Sequence, residues 1–354
     1  MRVALLAHHR FPIAPPFAGG LESFTWHLAR SLRERKIAVS VFAGPGSDPC
    51  LGLEELSFRP VELGAAARRD SAMPPESHVQ ETFAYLQVMR ELTQRSDIDV
   101  VHNNSLHYLP IMLGSSISTP VLTSLHTPPT PWLEPALRLC AETITTSAVS
   151  HAVARQWEGI VAPRVIHNGI DIAEWPFAAG GEDLVWFGRI VPEKAPHVAA
   201  LIARQAGRRL RIAGPLSDPH YFGEQLQPLL GDGVEHVGHL MPEELADLVG
   251  GSAVCLVTPD WEEPFGLVAA EAMACGTPVL ALQRGALREV VRPPGGMTTP
   301  VCASEAETID TAAAALSQVE ALDRRAVRHY VEENFGMANM VDRYVEFYEE
   351  LRTS

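Results

Sequence analysis

Short apolar runs alternate with longer amphipathic stretches along the first half of the chain. The short runs rich in β-branched residues predict strands at residues 3–7, 39–43, 99–102, 120–126, 143–146 and 165–167. The stretches with helical period predict helices at residues 20–35, 80–95, 107–113 and 147–157. A strand followed by a helix, repeated, indicates a parallel sheet covered on both faces. The irregular segment 44–77 is expected at the surface.

A second series of the same kind begins near residue 184. Its predicted strands are L-V-W-F-G, L-R-I-A-G, V-E-H-V-G, V-C-L-V-T-P and T-P-V-L-A-L, and helical stretches follow most of them. Residues 176–181 have the composition of a linker, and the pattern is helical from residue 303 onward. The sequence therefore predicts an α/β fold with two doubly wound, Rossmann-like domains. Ligands are expected at the carboxyl ends of the strands, in a cleft between the domains.

Composition narrows the class of protein. The chain has 354 residues, 46% of them hydrophobic, and a formal net charge of −15. A charge of that sign argues against nucleic acid as a partner. No apolar run approaches the roughly 20 residues of a membrane span, and the first residues do not resemble a signal peptide. The five cysteines lack metal-ligand spacing and are expected to be buried thiols in a reducing cytoplasm.

The most informative motif is E-P-F-G-L-V-A-A-E, which runs from Glu263 to Glu271. Gly266, Leu267 and Val268 are expected in the first turn of a helix, where free amides and the helix dipole favour a phosphate. Carboxylates beside a phosphate make sense if they accept hydrogen bonds from sugar hydroxyls. The motif therefore predicts a nucleotide-sugar pocket.

Other candidate residues lie where predicted strands end. Gly19 and Gly20 lead into the first helix and could bring backbone amides close to a phosphate. In G-R-I-V-P-E-K, Gly188 ends a strand, and Arg189 and Lys194 can converge on a diphosphate.

Several polar residues have both structural and functional interpretations. His126 closes a strand, at a position more typical of a site than of a core. The Asp97–Asp99 pair precedes a strand and is expected to be structural rather than a metal ligand. Ser147 and Ser150 are expected to cap a helix. Trp261 can stack on a sugar or fill the core.

Taken together, these residues resemble glycosyltransferase family 4, retaining enzymes of the GT-B fold. The match covers almost the whole chain in the family's order: Gly19-Gly20, His126, Ser147, N-G-I-D at 168–171, G-R-x-x-P-E-K at 188–194, the E-x7-E and G-T-P-V. Three positions depart from the family pattern. Ala195 replaces the glycine that usually follows the lysine, Gly285-Ala286 replaces a Gly-Gly pair, and P-D-W-E-E replaces a serine-containing run.

The resemblance implies a role for each matching residue. Glu271 would bind the ribose and Glu263 the transferred sugar, while Arg189 and Lys194 would hold the diphosphate. His126 would lie near the anomeric carbon. The remaining donor-binding positions would be Gly19, Gly20, Gly188, Gly238, His239, Gly266, Leu267 and Val268. The expected domains are 1–171 for the acceptor, 172–335 for the donor, and 336–354 as a helix crossing back to the first domain.

The expected reaction transfers a sugar from a nucleotide-diphosphate sugar, with UDP as the commonest carrier in the family, to a hydroxyl acceptor with retention of configuration. No metal ion or other cofactor is expected. The acceptor can be a small molecule, a glycan or a lipid-linked glycan, and contact with a membrane surface is left open. A nucleotide-sugar 2-epimerase and a non-catalytic nucleotide-sugar binding protein remain alternatives. A nicotinamide dehydrogenase is disfavoured because G-x-G-x-x-G is absent from the first loop.

Overall fold

The computed structural model describes residues 1–51 and 60–353, which form two compact units. Unit 1 comprises Met1–Val149, Val153–Ile166 and Val341–Ser354, and unit 2 comprises Ser150–Ala152 and His167–Met340. Among the described residues, no helix is both long enough and apolar enough to cross a membrane.

Unit 1 is built on a parallel sheet of six strands in the order β2-β1-β3-β4-β5-β6. The strands are β1 Arg2–Leu6, β2 Ala38–Phe42, β3 Val100–Asn103, β4 Val121–Leu125, β5 Thr145–Ala148 and β6 Arg164–Val165. The helices are α1 Gly20–Glu34, α2 Ala65–Arg68, α3 Glu76–Leu92, α4 Tyr108–Leu113, α5 Leu133–Cys140 and α6 His151–Gln156, the last of which has its first two residues in unit 2. The alternation of apolar runs and amphipathic stretches therefore predicted this sheet correctly, with ends that shift by a few residues.

The core of unit 1 explains why its strands are so apolar. Helices cover both faces of a doubly wound sheet, so side chains that point either way are buried. Leu6, Phe42 and Val101 from three strands pack with Tyr85 and Val88 of α3. The amphipathic helix α5 was missed by the sequence analysis, although its spacing of Leu133, Ala136 and Leu137 carries the signal.

The predicted surface segment 44–77 is mixed. Residues 52–59 lie outside the described residues, and α2 is exposed, as expected. Ser47, however, is buried, because its hydroxyl donates to the carbonyl of Gly44 (2.8 Å) and accepts from the amide of Ile13 (2.9 Å). The start of this segment therefore packs inside unit 1.

The end of the chain contributes to the core of unit 1. From Val341 onward, the last helix belongs to this unit. Its Tyr348 hydroxyl lies 2.7 Å from Nδ1 of the fully buried His102, and Nε2 of His102 lies 2.6 Å from Oγ of Ser124. Tyr344 reaches the same serine at 3.2 Å. Burial away from water keeps the pKa of His102 well below its usual value, so this network is uncharged at neutral pH.

Unit 2 repeats the architecture with a second parallel sheet, in the order β12-β11-β10-β7-β8-β9. Its strands are β7 Leu184–Phe187, β8 Leu210–Ala213, β9 Val234–Gly238, β10 Val254–Val257, β11 Val279–Leu282 and β12 Gly296–Thr299. The helices are α7 Pro196–Gln205, α8 Pro219–Tyr221, α9 Pro242–Gly250, α10 Leu267–Ala274, α11 Leu287–Val290, α12 Glu305–Glu320, α13 Arg324–Phe335 and α14 Met337–Thr353, the last of which ends in unit 1.

Three expectations need correction, two of them about unit 2. The edge strand β12 was missed, because its sequence G-M-T-T lacks an apolar run. Residues 176–181 are not a free linker, because Arg324 donates to the carbonyl of Ala178 (3.1 Å) and the amide of Ala178 donates to the carbonyl of Cys275 (3.1 Å). Buried thiols were expected throughout the chain. Cys255 and Cys275 are buried, but Cys50 is exposed and Cys140 and Cys302 are partly exposed.

Candidate functional site

The loop between β10 and α10 in unit 2 carries the most informative sequence motif. The helix begins at Leu267, and Gly266 is its N-cap residue. The sequence analysis had placed Gly266 in the first turn of the helix, one position too far inside. Gly266 has a φ of +93°, and a Cβ atom there would lie 2.6 Å from the Leu287 side chain. Glycine therefore lets the chain enter the helix with the amides of Leu267 and Val268 in the first turn, where no intrahelical carbonyl is available to them.

Two side chains converge on one carboxylate oxygen of Glu263, just before this helix. Lys194 Nζ lies 2.6 Å from Oε2 of Glu263, and the indole N–H of Trp261 donates to the same oxygen at 2.9 Å. The Lys194 ammonium also lies 5.0 Å from the centroid of the Trp261 ring, within the range of a cation–π contact. Glu263 is only 8% exposed, so this ion pair is shielded from bulk water. We call Lys194, Trp261 and Glu263 the acid–base cluster.

The neighbouring loop separates the roles of two adjacent glutamates. Oε2 of Glu262 accepts from the amide of Gly285 at 2.7 Å, and the carbonyl of Glu263 accepts from the amide of Ala286 at 2.8 Å. A Cβ atom at Gly285, whose φ is +53°, would overlap the backbone of Glu263. The loop therefore holds the backbone so that Glu262 is exposed and the Glu263 side chain turns toward Lys194.

Lys194 is positioned by a short 3-10 turn that leads into α7. The residue after it, Ala195, has φ 45° and ψ 54°, a left-handed conformation in which glycine is less strained. The hydroxyl of Thr258 donates to the carbonyl of Ala195 at 3.0 Å, and the amide of Asp260 donates to the carbonyl of Glu193 at 2.9 Å. These bonds join the lysine turn to the glutamate loop, which explains why residues distant in sequence meet.

The remaining sequence-predicted residues of unit 2 lie at the carboxyl ends of neighbouring strands. Gly188 follows β7, Gly238 ends β9, and the amide of Gly214, which follows β8, donates to the carbonyl of Gly238 at 2.8 Å. Sequence reasoning missed Gly214, although L-R-I-A-G ends as the other strands do. Arg189 is exposed, with its guanidinium 3.6 Å from Glu193, and His239 is also exposed.

Glu271 lies in the second turn of α10 and is partly exposed. It follows Glu263 by eight positions, with the helix cap between them. The two carboxylates therefore flank the segment that carries the first-turn amides of α10.

In unit 1, His126 directly follows β4 and packs edge-on against Phe24, with ring centroids 4.8 Å apart. Its Nε2 lies 2.9 Å from Oδ1 of Asn104. Burial lowers the pKa of His126 to about 3, so the ring is neutral at pH 7. An amide oxygen can only accept, so Nε2 carries the proton and Nδ1 is left as an acceptor. Asn104, missed by the sequence analysis, is fully buried and positions the ring.

Gly19 and Gly20 form the start of α1, as the N-cap residue and the first helical residue. A Cβ atom at Gly19 would lie 3.2 Å from the carboxylate of Glu22, which is itself 3.8 Å from the ring of His8. The two glycines therefore place backbone at the helix start, beside a buried carboxylate.

Two interpretations of polar residues are decided by the structure. Asp99 accepts from the amide of Arg2 at 2.6 Å and Asp97 from Arg95 at 2.6 Å, so this pair is structural, as predicted. Ser147 was expected to cap a helix, and this was wrong. It lies in β5, fully buried, with its Oγ 2.7 Å from Oγ of Ser124. The predicted helix begins later, at His151, directly after Ser150.

A group in unit 2 has the ligand types of a transition-metal site. One donor atom from each of His151, His167 and Glu289 lies within 4.8 Å of the others. The carboxylate of Glu289 also accepts from the amide of Ala152 at 3.4 Å, which links it to the start of α6. These residues belong to segments other than those of the acid–base cluster.

Two protein-family models match the chain. Residues 170–334 match the family model described as glycosyl transferases group 1, and residues 18–174 match the one described as glycosyltransferase family 4. The two matches overlap at residues 170–174 and together span residues 18–334. The chain belongs to the glycosyltransferase family 4 group of GT-B proteins.

Among named relatives, a glycogen synthase of Mycobacterium tuberculosis is 38% identical over 156 residues, which are 41% of this chain and 37% of that protein. The chain thus matches well under half of the glycogen synthase. A D-inositol 3-phosphate glycosyltransferase of Nocardiopsis dassonvillei is 28% identical over 82% of this chain and 80% of its own length.

Solved structures share the fold at low sequence identity. AviGT4, a glycosyltransferase involved in avilamycin A biosynthesis, superposes with a TM-score of 0.73 at 24% identity, over 100% of this chain and 98% of its own. Anabaena Alr3699/HepE, solved in complex with UDP and glucose, has a TM-score of 0.73 at 19% identity, over 99% of this chain and 100% of its own. These likenesses confirm the predicted GT-B fold.

Proposed function

We propose that this protein is a glycosyltransferase that moves a sugar from a UDP-type nucleotide-diphosphate sugar to a hydroxyl acceptor, with retention of configuration and without a metal ion. The observation that carries the proposal is the acid–base cluster before α10. It places a cation suited to a diphosphate and a carboxylate suited to sugar hydroxyls at one point, three residues before the helix cap.

The cluster suggests a division of labour within the donor site. Both Lys194 and Trp261 donate to Oε2 of Glu263, so Oε1 is the oxygen that would accept hydrogen bonds from the sugar. Lys194 would then stabilise the diphosphate while still fixed by Glu263. Arg189 and the first-turn amides of α10 would add positive charge at the leaving group. These groups supply the role that a divalent cation has in other nucleotide-sugar sites.

The proposed reaction conserves the anomeric configuration. The bond between the anomeric carbon and the phosphate oxygen breaks, and the acceptor oxygen bonds to that carbon on the same face of the sugar. The acceptor's proton passes to the departing phosphate oxygen, so no separate base is required. His126, held neutral, would accept a hydrogen bond from a substrate hydroxyl through Nδ1 rather than supply a charge.

The choice of UDP draws on the relatives. The crystal structure of the Anabaena protein contains UDP and glucose, and that protein shares the fold. Glu271 would bind the ribose hydroxyls, which UDP, GDP and ADP share, and Gly238 and His239 would lie beside the base. The nucleotide is therefore the part of the proposal that a binding assay tests most directly.

The test is calorimetric titration of the full chain with UDP, GDP, ADP and TDP, each with and without EDTA. We expect UDP to bind, with an affinity that EDTA leaves unchanged, and Glu271→Ala to abolish binding. Preference for another nucleotide would mean that the donor carries that nucleotide instead of UDP. Loss of binding in EDTA would contradict metal independence.

Retention and the alternative functions need a product assay. NMR of the glycoside formed from a donor with α configuration should show an α linkage, and a β product would exclude retention. A sugar epimer formed from donor alone would instead identify a nucleotide-sugar 2-epimerase. Tight nucleotide binding without turnover, with acceptors present, would favour a binding protein.

A further inference from the structure

A row of aromatic rings in unit 1 runs from the core to the surface. His107 stacks on the buried Tyr85 and on Tyr108, with both pairs of centroids 4.5 Å apart, and Tyr108 stacks on Trp132 at 5.6 Å. The interplanar angles along this row are 28°, 24° and 22°, so the rings lie nearly parallel. The ring centroid of His78 lies 6.1 Å from that of Trp132. We call Tyr85, His107, Tyr108 and Trp132 the aromatic row.

The row is fixed at its inner end and open at its outer end. The Tyr85 hydroxyl donates to the carbonyl of Ala7 at 3.0 Å, and the Tyr85 side chain is fully buried. The His107 ring accepts from the amide of Leu109 through Nδ1 at 3.2 Å, which sets its orientation. Trp132, by contrast, is 62% exposed. An indole so exposed, yet stacked on an anchored row, offers a preformed flat surface to a ligand.

The row lies at the edge of the sheet where ligands of doubly wound folds bind. Ala7 follows β1, His107 follows β3 by a few residues, and Trp132 lies in the connection after β4, which also carries His126. Each of these positions is on the carboxyl side of its strand. The row and His126 therefore belong to the same edge of the unit 1 sheet.

The charges around the row point to an uncharged ligand. Burial lowers the pKa of His107 to about 4 and lowers that of His9, so both rings are neutral at pH 7. The guanidinium of Arg10 lies 3.5 Å from the buried carboxylate of Glu81. A phosphate would need cations not already matched by a carboxylate. The faces of a sugar ring are apolar and its hydroxyls are uncharged, which suits aromatic rings and neutral imidazoles.

We infer that the outer end of the aromatic row, formed by Tyr108 and Trp132, is a subsite that binds a neutral saccharide ring of the acceptor. This inference rests on the proposed transfer function for its use in catalysis, although saccharide binding itself can be measured without turnover. The acceptor is thereby assigned to the class of neutral glycosides rather than to phosphorylated sugars.

The first test is saturation-transfer NMR on the full chain, with saturation of protein aromatic protons. The probes are maltose, cellobiose and lactose, with glucose 6-phosphate as the charged comparison. We expect transfer to the ring protons of at least one disaccharide and none to glucose 6-phosphate. Absence of transfer to every disaccharide, or stronger transfer to glucose 6-phosphate, would overturn the inference.

Variants locate the contact. Trp132→Ala and Tyr108→Ala should abolish the transfer, whereas Leu139→Ala, which alters another exposed apolar residue (76% exposed) on the adjoining α5, should preserve it. A urea unfolding curve for each variant separates a lost contact from a lost fold. Trp132→Phe keeps a flat ring and should restore part of the signal. Unchanged transfer in folded Trp132→Ala would overturn the inference.

A kinetic readout separates this inference from the proposed function. With the best disaccharide as acceptor, Trp132→Ala should raise the acceptor KM about tenfold and leave the donor KM unchanged. Equal acceptor KM in the variant and the parent would overturn the subsite. If disaccharides bind but UDP is neither bound nor released, the proposed function is contradicted, whereas the saccharide subsite is supported.

Discussion

The two units place different chemistry on the same architecture. In unit 2, the groups at the carboxyl edge of the sheet are ions, Lys194 and Glu263, held 2.6 Å apart and shielded from water. In unit 1, the corresponding edge carries rings without charge, among them His107 and His126. The contrast shows that each sheet provides a carboxyl edge, while the side chains of the loops at that edge determine which ligand can bind there. A charged donor and a neutral acceptor would need such a pair of edges.

The largest expected effect comes from breaking the acid–base cluster of unit 2. Glu263→Gln and Lys194→Met should each lower kcat/KM by about 10²-fold or more, because each removes a charge beside the leaving group or the sugar. The chain offers matched controls: Glu262→Gln changes the adjacent glutamate, and Lys36→Met the other lysine. Both controls should stay within about twofold of the parent. A Glu262→Gln variant as impaired as Glu263→Gln would mean that the wrong carboxylate has been chosen.

The second prediction contrasts how the units respond to acid. The pKa values of His8 and His107 are lowered to about 4, and that of His126 to about 3, all in unit 1. Unfolding frees these rings to bind protons below about pH 6.5. Their contribution to stability is therefore complete above that pH and is lost as pH falls toward 4, by up to about 1.4 kcal/mol per pH unit for each well-buried ring.

Hydrogen exchange monitored by mass spectrometry at pH 7 and pH 5, corrected for intrinsic rates, checks this contrast. Protection should fall more in the strands of unit 1 than in those of unit 2. An equal loss in both units would show that the neutral histidines do not control acid sensitivity.

A smaller effect sharpens the role of Trp261. Trp261→Phe removes the indole N–H that donates to Glu263 but keeps an aromatic face near Lys194. We expect about a tenfold loss in kcat/KM, the scale of one hydrogen bond to a charged group. The measurement is steady-state kinetics with the donor varied. The matched control is Trp26→Phe in unit 1, which removes an indole N–H that donates to Asp48 and should leave kcat/KM unchanged. If Trp261→Phe equals the parent, the bond does not position the carboxylate.

The smallest expected effect is at Ala195. Replacement by glycine relieves the left-handed strain but removes a buried methyl group, terms of about 1 kcal/mol each that oppose one another. The free energy of unfolding of Ala195→Gly should therefore lie within about 1 kcal/mol of that of the parent. Ala195→Val puts a β-branched residue at positive φ and should lower the free energy of unfolding by about 2 kcal/mol or more. Urea denaturation measures both, and a tolerated valine would contradict the argument.

The sequence predicted the repeating architecture because buried parallel strands leave a direct signal of apolar runs. It also singled out Lys194, Glu263 and Gly266, whose motifs are local; their role in a donor site stays a prediction. It could not predict that Lys194 and Glu263, 69 positions apart, share an ion pair, or that Trp261 donates to the same oxygen. Such contacts depend on which strands are neighbours, and the order of strands is not written in any one segment.

The aromatic row was missed for the same reason. Tyr85, His107 and Trp132 come from different connections, and each looks ordinary in its own segment. Ser147 was misassigned because its neighbours T-T-S-A-V-S suit either a strand end or a helix cap. The strand was predicted at residues 143–146 and lies at Thr145–Ala148, so Ser147 is a buried strand residue rather than a helix cap.

The contact of Tyr348 with His102 has a consequence for the order of events during synthesis. The strands of unit 1 leave the ribosome first, yet the hydroxyl that satisfies the fully buried His102 is made only after nearly all of unit 2. Until then, the imidazole lacks one of its two partners and unit 1 lacks the helix that covers it. The nascent first unit therefore stays incompletely packed until the second has been made, and its apolar surface is exposed to non-native contacts during that interval.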